Sequence, residues 1–231
     1  MNRSEELTSL AQRIVTCRQC PRLVEHRESV ARTRRRAFRD WQYWGRPVPS
    51  FGDPRAELFV VGLAPAAHGG NRTGRIFTGD RSGDFLYAML HRAGFANQPT
   101  STHRDDGLRL AGAYVTAAVR CAPPDNKPSP QEILNCRPFL EAELNILRPR
   151  AVLALGKIAF DAYLRLLQQR GDISRTVAYP FAHGACVQLP GNLPRLFASY
   201  HPSQRNTQTG LLTPAMFMSV LRKIRRFLDT R

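Results

Sequence analysis

Asp80, His201 and Asn126 are the side chains in this chain whose type and setting could do chemistry. Asp80 lies in Gly62-Leu-Ala-Pro-Ala-Ala-His-Gly-Gly-Asn-Arg-Thr-Gly-Arg-Ile-Phe-Thr-Gly-Asp-Arg-Ser-Gly83, where six glycines let backbone approach a ligand without side chains in the way. A carboxylate there could orient water or stabilise a cation. It could equally cap the helix that follows, beside Ser82, which is also placed to cap it. His201 stands before Pro202, which holds it out of helical conformation and can aim its imidazole off a sheet edge, where it could donate to a developing anion. A turn-capping histidine is the alternative. Asn126, among prolines, could position a water or a base, or form a turn. Phe77, isolated among polar residues and glycines, could stack on a planar ligand or staple the loop.

Four of the five cysteines form two pairs, Cys17-x2-Cys20 and Cys121-x14-Cys136. Thiolates drawn from distant segments suit a tetrahedral metal centre or an iron–sulfur cluster. The wide second pair and the neighbouring prolines favour [4Fe–4S] over zinc, and free buried cysteines are the other reading. Cys186 is left over and is expected to be a small core residue.

The elements that must position these residues follow an alternating pattern. Residues 4–16 read as an amphipathic helix with Ser4 as a candidate cap, and a second helix runs from about Arg22 to Thr33. From Ala56 onward, strands at Leu58–Val61, Ala113–Val119, Ala151–Leu155 and Leu196–Ser199 alternate with helices at Gly83–Arg92, Pro130–Leu147, Gly156–Gln169 and Thr213–Leu228. Val187–Leu189 is a candidate edge strand. The pattern predicts an α/β three-layer α/β/α sandwich around a mostly parallel, four-stranded sheet. A single domain over residues 1–231 is expected, with a cysteine-bearing helical arm at about 1–50. The glycine-rich loop then leaves a strand and enters a helix, the place where such sheets bind ligands.

Charge points to the partner. Of 231 residues, 34 are basic and 18 acidic, a formal charge of +16, and every basic residue except Lys127, Lys157 and Lys223 is arginine. Arginine forks bind phosphate bidentately, so nucleic acid is the expected partner. Arg34-Arg-Arg-Ala-Phe-Arg-Asp-Trp-Gln-Tyr-Trp44 interleaves basic and aromatic residues, which suits either phosphate contact with stacking or an arm packed on the core. No run approaches the roughly 18 apolar residues that span a bilayer, and no apolar signal segment opens the sequence, so a cytoplasmic place without membrane partners is expected.

Together these residues resemble the uracil-DNA glycosylase superfamily, most closely its family 5. The resemblance rests on the cysteine spacing, on Gly62-Leu-Ala-Pro-Ala66, on Asn71-Arg-Thr-Gly-Arg-Ile-Phe-Thr-Gly-Asp80-Arg-Ser-Gly83 and on His201-Pro-Ser-Gln-Arg-Asn206. It implies a parallel α/β/α sandwich, a [4Fe–4S] cluster on Cys17, Cys20, Cys121 and Cys136, and removal of damaged bases from DNA. In that scheme a nucleotide is flipped into a pocket. Gly62, Leu63, Ala64 and Ala66 line its edge, Phe77 stacks on it, and His201 stabilises the departing base. Asp80 orients water with Asn126 as helper. Ser203, Gln204, Arg205 and Asn206 contact DNA, with polar Gln204 and Arg205 where relatives often use leucine.

Two departures from sister families matter. Leu63 stands where they place an acidic or amide residue, and Ala117 where they read uracil with asparagine. A range broadened to hypoxanthine and modified pyrimidines is therefore expected. No lysine lies in these motifs, which argues against a Schiff-base lyase, so a monofunctional hydrolase leaving an abasic site is expected; a monomer is expected as well. Two rivals stand beside it. A metal-stapled nucleic-acid-binding module without catalysis leaves the glycine loop and His201 idle. A phosphoester hydrolase needs a metal site near Asp80 that the sequence does not offer.

Overall fold

A computed structural model describes residues 2–230. Its sheet has six strands rather than the four expected, in the order β1-β3-β2-β4-β6-β5. The four predicted strands form its parallel centre: β2 (Leu58–Gly62), β3 (Ala113–Ala117), β4 (Ala151–Leu155) and β6 (Arg195–Ser199). Two-residue strands, β1 (Phe51–Gly52) and β5 (Cys186–Val187), add antiparallel edges. Strands this short carry no periodicity, and β1 lies in a segment whose Pro and Gly content reads as a connection.

Each central strand is buried along nearly its whole length, because helices cover both faces. Alternate residues enter different cores. Leu58, Val60, Val115, Leu153 and Phe197 pack against α4 (Arg81–Arg92) and α8 (Pro214–Asp229), through Leu86, Leu90, Phe217, Leu221 and Ile224. Phe59, Val61, Tyr114, Val152 and Leu196 face α1 (Arg3–Val15), α5 (Pro130–Leu147) and α6 (Lys157–Gln169), through Leu7, Leu144, Phe160, Tyr163 and Leu167. This is the predicted three-layer sandwich.

Local signals start the helices. Ser129 and Glu132 close a capping box on α5 with Pro130 in its first turn, and Thr213 caps α8. Asn2, rather than Ser4, caps α1 and forms a capping box with Glu5. α2 (Pro21–Thr33) is tied to α5 by Arg22, whose Nε and Nη2 donate to Glu132 at 2.8 and 2.7 Å. Cys186 is exposed rather than in the core, because it lies on the last, one-sided edge strand. No helix among the described residues is long and apolar enough to cross a membrane.

A buried polar knot joins the sheet to α5. Arg120 and Glu143 are 2% and 1% exposed and pair at 2.7 Å. Thr116 donates to the same carboxylate at 2.8 Å, Ser50 donates to Thr116 at 2.7 Å, and Arg120 also reaches Ser50. Removing one member leaves an uncompensated buried charge. Glu143→Gln is therefore expected to lower unfolding free energy by about 3 kcal/mol, read as a fall in the midpoint of chemical denaturation.

Candidate active site

β2 sits at the point where the chain reverses its winding: β3 lies on one side of it, β4 and β6 on the other. The loops after β2, β3 and β6 therefore open at one carboxyl edge, the ligand-binding edge of such sheets. They surround a cavity of about 1100 Å3 lined by Leu63 to Gly69, Phe77, Asp80, Asn126, His201 and the stretch Ser203–Arg205. Asp80, Asn126 and His201, separated widely in sequence, are brought to this one space.

Phe77 forms its inner wall in a conformation that neighbouring glycines make room for. The residue is 7% exposed and has φ of +50°, a region that bulky side chains rarely occupy. A Cβ at Gly62 would lie 2.6 Å from its ring, and one at Gly83 would lie 1.9 Å from its carbonyl oxygen. Strand end and helix start both close on Phe77 because neither carries a side chain there. Its ring tilts 32° to that of His201, with centroids 5.9 Å apart.

Asp80 is the N-cap of α4, accepting from the Gly83 N–H at 3.0 Å, so the capping reading of this residue holds and Ser82 is not the cap. Its carboxylate nonetheless borders the cavity. Burial raises its pKa above the ordinary carboxylate value; the backbone N–H groups of Gly83 and Ser82 oppose that rise, Asp84 adds to it, and Arg72 opposes it. Gly69 lets the carboxylate in, since a Cβ there would lie 2.0 Å from Oδ2.

Arg72 is the residue that sequence reading missed. It is 4% exposed on α3 (Gly70–Thr73) and donates to His68 O and Gly79 O, both at 2.7 Å. Its guanidinium lies 3.9 Å from the Phe38 ring centroid and 4.1 Å from that of Trp41. One cation thus pins both ends of the Asp80 loop and holds the N-terminal arm against it. Arg35, Phe38 and Trp41 line the cavity mouth, so the basic–aromatic arm both packs and faces the site. The Tyr43 hydroxyl and His68 Nδ1 bond at 3.0 Å along the same wall. Interleaved arginines and aromatics were the available signal, but which arginine they enclose is a tertiary fact.

His201 is held by its backbone. Asn206 Nδ2 donates to its carbonyl at 2.8 Å, and Gly156, with φ of +90°, passes so close that a Cβ would lie 3.2 Å from that of His201. Burial brings its pKa down to about 4, so the imidazole is neutral near pH 7 and keeps one N–H to donate.

Other predicted residues separate. Leu63, Ala64 and Ala66 line the cavity, but Gly62 is covered by Phe77 and Ala117 is 1% exposed within the core facing α4 and α8. Side-chain alternation turns Ala117 into that core, so it is not part of the cavity wall. Asn126 is exposed at the rim with φ of +57°. Ser203 caps α7 (Gln204–Gln208), leaving Gln204 and Arg205 at the opening. Asn206 serves His201 and does not line the cavity.

The four paired cysteines meet. Cys17, Cys20, Cys121 and Cys136 border one small cavity between α2, α5 and the loop after β3. Among the described residues, no three His, Cys, Asp or Glu form a group that could hold a metal ion, so the sulfurs border a space without converging on a point. Asn135 Nδ2 lies 3.3 Å from Cys20 Sγ and Arg27 Nη1 3.7 Å from Cys121 Sγ. Arg27 is 2% exposed, and its Nε has no partner. An all-sulfur donor set facing a buried cation and an amide donor fits an anionic iron–sulfur group. Burial, with the neighbouring cysteines adding to it and Arg27 or Arg120 opposing it, pushes the free thiols up, to about 12 for Cys121 and about 11 for Cys136.

Comparison with known proteins agrees with this arrangement. Residues 49–225 match the model of the uracil DNA glycosylase superfamily. The chain is 54% identical to a type-5 uracil-DNA glycosylase of Thermus thermophilus over 219 residues, covering 94% of this chain and 96% of that one. It is 49% identical to a type-5 enzyme of Pyrobaculum aerophilum, over 91% and 88% of the two chains. A type-4 uracil-DNA glycosylase of the same archaeon is 30% identical, over 70% and 74%.

The state of His201 has a direct check. Its folded pKa lies below the ordinary 6.5, so the unfolded chain binds the additional proton between the two values. Stability is expected to fall as pH drops from about 6.5 towards about 4, and His201→Gln should flatten that fall. In a histidine NMR titration, the His201 ring should stay neutral at pH 6 and move only near 4; a midpoint near 6.5 would contradict the buried neutral form.

Proposed function

The chain belongs to the uracil DNA glycosylase superfamily, and from that premise we propose that it excises uracil from DNA by hydrolysing the N-glycosidic bond, the first step of base excision repair. The observation that carries the reading is the meeting of Asp80, Phe77 and His201 on one cavity at the carboxyl edge of the sheet. A phosphoester hydrolase has no support in the relatives, which are named as uracil-DNA glycosylases. A binding module without catalysis leaves the half-buried, neutral His201 and the half-buried Asp80 carboxylate unexplained.

The residues divide the work. The flipped base enters against the Phe77 ring, with the Leu63–Ala67 backbone along its edge. As the bond from the sugar C1′ to the base nitrogen breaks, its electron pair leaves with the base and positive charge develops on the sugar. Neutral His201 donates its N–H to the base carbonyl as negative charge grows there. Asp80, ionised, faces the sugar, stabilises the cation and takes the proton of the attacking water as that oxygen bonds to C1′. Asn126 at the rim steadies the water. Asp80 returns that proton through solvent to the departed base, which gives the free base and an abasic site and restores the carboxylate.

Cavity size supports a broader range than uracil. About 1100 Å3, walled at one edge by backbone and small apolar side chains, leaves room for modified pyrimidines and hypoxanthine, and the edge formed by Leu63 to Ala67 carries no side-chain amide to reject them. A monomer is proposed as the working form. A place with the nucleoid in the cytoplasm is consistent with DNA as the substrate. Cys17, Cys20, Cys121 and Cys136 would hold a [4Fe–4S] cluster; when bound it would supply a rigid crosslink tying the N-terminal arm to the sheet.

Duplex oligonucleotides bearing single uracil, hypoxanthine or a modified pyrimidine test the activity. Strand breaks that need alkali are expected for uracil, and none at all would overturn the reading. Asp80→Asn and His201→Ala should each lower the single-turnover rate by about 10²–10³-fold while DNA binding persists. For the cluster, freshly purified protein should be brown, with about four iron and four acid-labile sulfide per chain. Colourless protein holding one zinc would replace that assignment.

A further inference from the structure

Beside the active cavity lies a second groove, of about 600 Å3, that the excision chemistry does not use. Trp41 and Arg72 form the ridge between the two, since each lines both. Beyond the ridge the groove is lined by Trp44, Arg46, His103 and Arg104, with the exposed carboxylate Asp40 also on its border. Three guanidinium groups against one carboxylate make it cationic. Both tryptophans of the chain line it.

The groove is built rather than a chance gathering of side chains. Trp44 is fixed by its indole N–H to Pro47 O at 3.0 Å, by its backbone N–H to Arg72 O at 3.0 Å, and by Gly74, where a Cβ would lie 3.0 Å from the ring. Its ring in turn orients two cations: Arg46 lies 5.8 Å and Arg104 5.0 Å from its centroid. Arg104 is also set from below. Buried Arg75 donates to the Arg104 carbonyl at 3.2 Å and pairs with Asp106 at 2.7 Å. Asp106 accepts the N–H groups of Thr102, His103 and Leu108. The 3.3 Å pair of Arg104 with exposed Asp105 is weak in solvent and leaves the guanidinium free to meet another anion.

We propose that this groove is a second DNA-contact surface, in which Arg46 and Arg104, oriented by Trp44, take phosphates of the strand flanking the flipped nucleotide. The inference rests on the glycosylase reading, because the occupant is the continuation of the strand whose base sits across the Trp41–Arg72 ridge. Continuity with the cavity and the excess of guanidinium over carboxylate select a phosphodiester chain. The groove sets how tightly and in what register the strand is held, and the bond-breaking step does not pass through it.

The test compares uracil substrates whose strand ends two nucleotides from the lesion, on one side or the other, with substrates extended well past it. For Arg46→Gln/Arg104→Gln, the enzyme concentration giving half-maximal single-turnover rate should rise about tenfold on the extended substrate, with an unchanged plateau rate. The short substrate on one side should show no difference. The slope of log affinity against log salt should become less steep by about 1 for each arginine removed. In Trp41→Phe, where Trp44 is the remaining tryptophan, extended DNA should quench emission and short DNA should not. Equal losses on long and short substrates, an unchanged salt slope, or Trp44 emission that ignores DNA length would each overturn the proposal. Quenching by polyglutamate at matched charge would do the same and assign the groove to acidic protein. Wild-type excision of uracil is scored separately, so failure of the groove leaves the glycosylase reading standing.

Discussion

Phe77 turns the chain through a left-handed conformation at the one place where the end of β2 and the start of α4 can both close upon it. The contact works because Gly62 and Gly83 present bare backbone to its ring and its carbonyl. That close approach determines where the following residues fall. Three positions on, Asp80 caps α4 and borders the cavity, and the imidazole of His201 stacks obliquely on the same ring. A conformation that costs on the order of 1–3 kcal/mol is held by the packing around it, as is common where a site must be set in advance. The reversal of strand order at β2 supplies the crevice, and Phe77 supplies its inner surface.

Desolvation then gives the two polar groups opposite characters. His201 loses its positive form to burial and becomes a neutral donor, while Asp80 is made a more basic carboxylate than it would be in water. A neutral donor beside a growing anion and a carboxylate beside a growing cation suit a bond that breaks with charge separation. Arg72 moderates this from behind. It lowers the cost of the Asp80 charge while its hydrogen bonds go to backbone carbonyls and its faces to Phe38 and Trp41, so it supports the loop without neutralising the carboxylate.

The arginine excess is thus spread over distinct tasks. Arg120 closes an ion pair under the sheet, Arg75 organises the segment at 101–106, Arg27 faces the cysteine cavity, and Arg72 joins the arm to the glycine loop. All four are almost wholly buried, a setting in which a planar guanidinium can satisfy several acceptors at once and a lysine could not. Arg46 and Arg104 lie over the Trp44 ring at the surface, so aromatic packing in this segment leaves guanidinium groups exposed to solvent.

Sequence by itself determined the central architecture and which loops reach the cavity. Apolar runs at 58–61, 113–119, 151–155 and 196–199 admit burial on both faces, which requires helices on each side; the glycine-rich loop and His201 were legible as residue types at strand ends, and the cysteine pairs by their spacing. Tertiary structure alone decided the rest. The edge strands at 51–52 and 186–187 are too short to carry a period, so Cys186 could not be recognised as exposed. Ala117 and Asn206 occupy the right segments but point or bond elsewhere, because pleat and local hydrogen bonding, not position in the chain, set where a side chain goes. Arg72 is a plain residue in sequence. Its role comes from long-range contacts with an arm about thirty residues away, which no local pattern encodes.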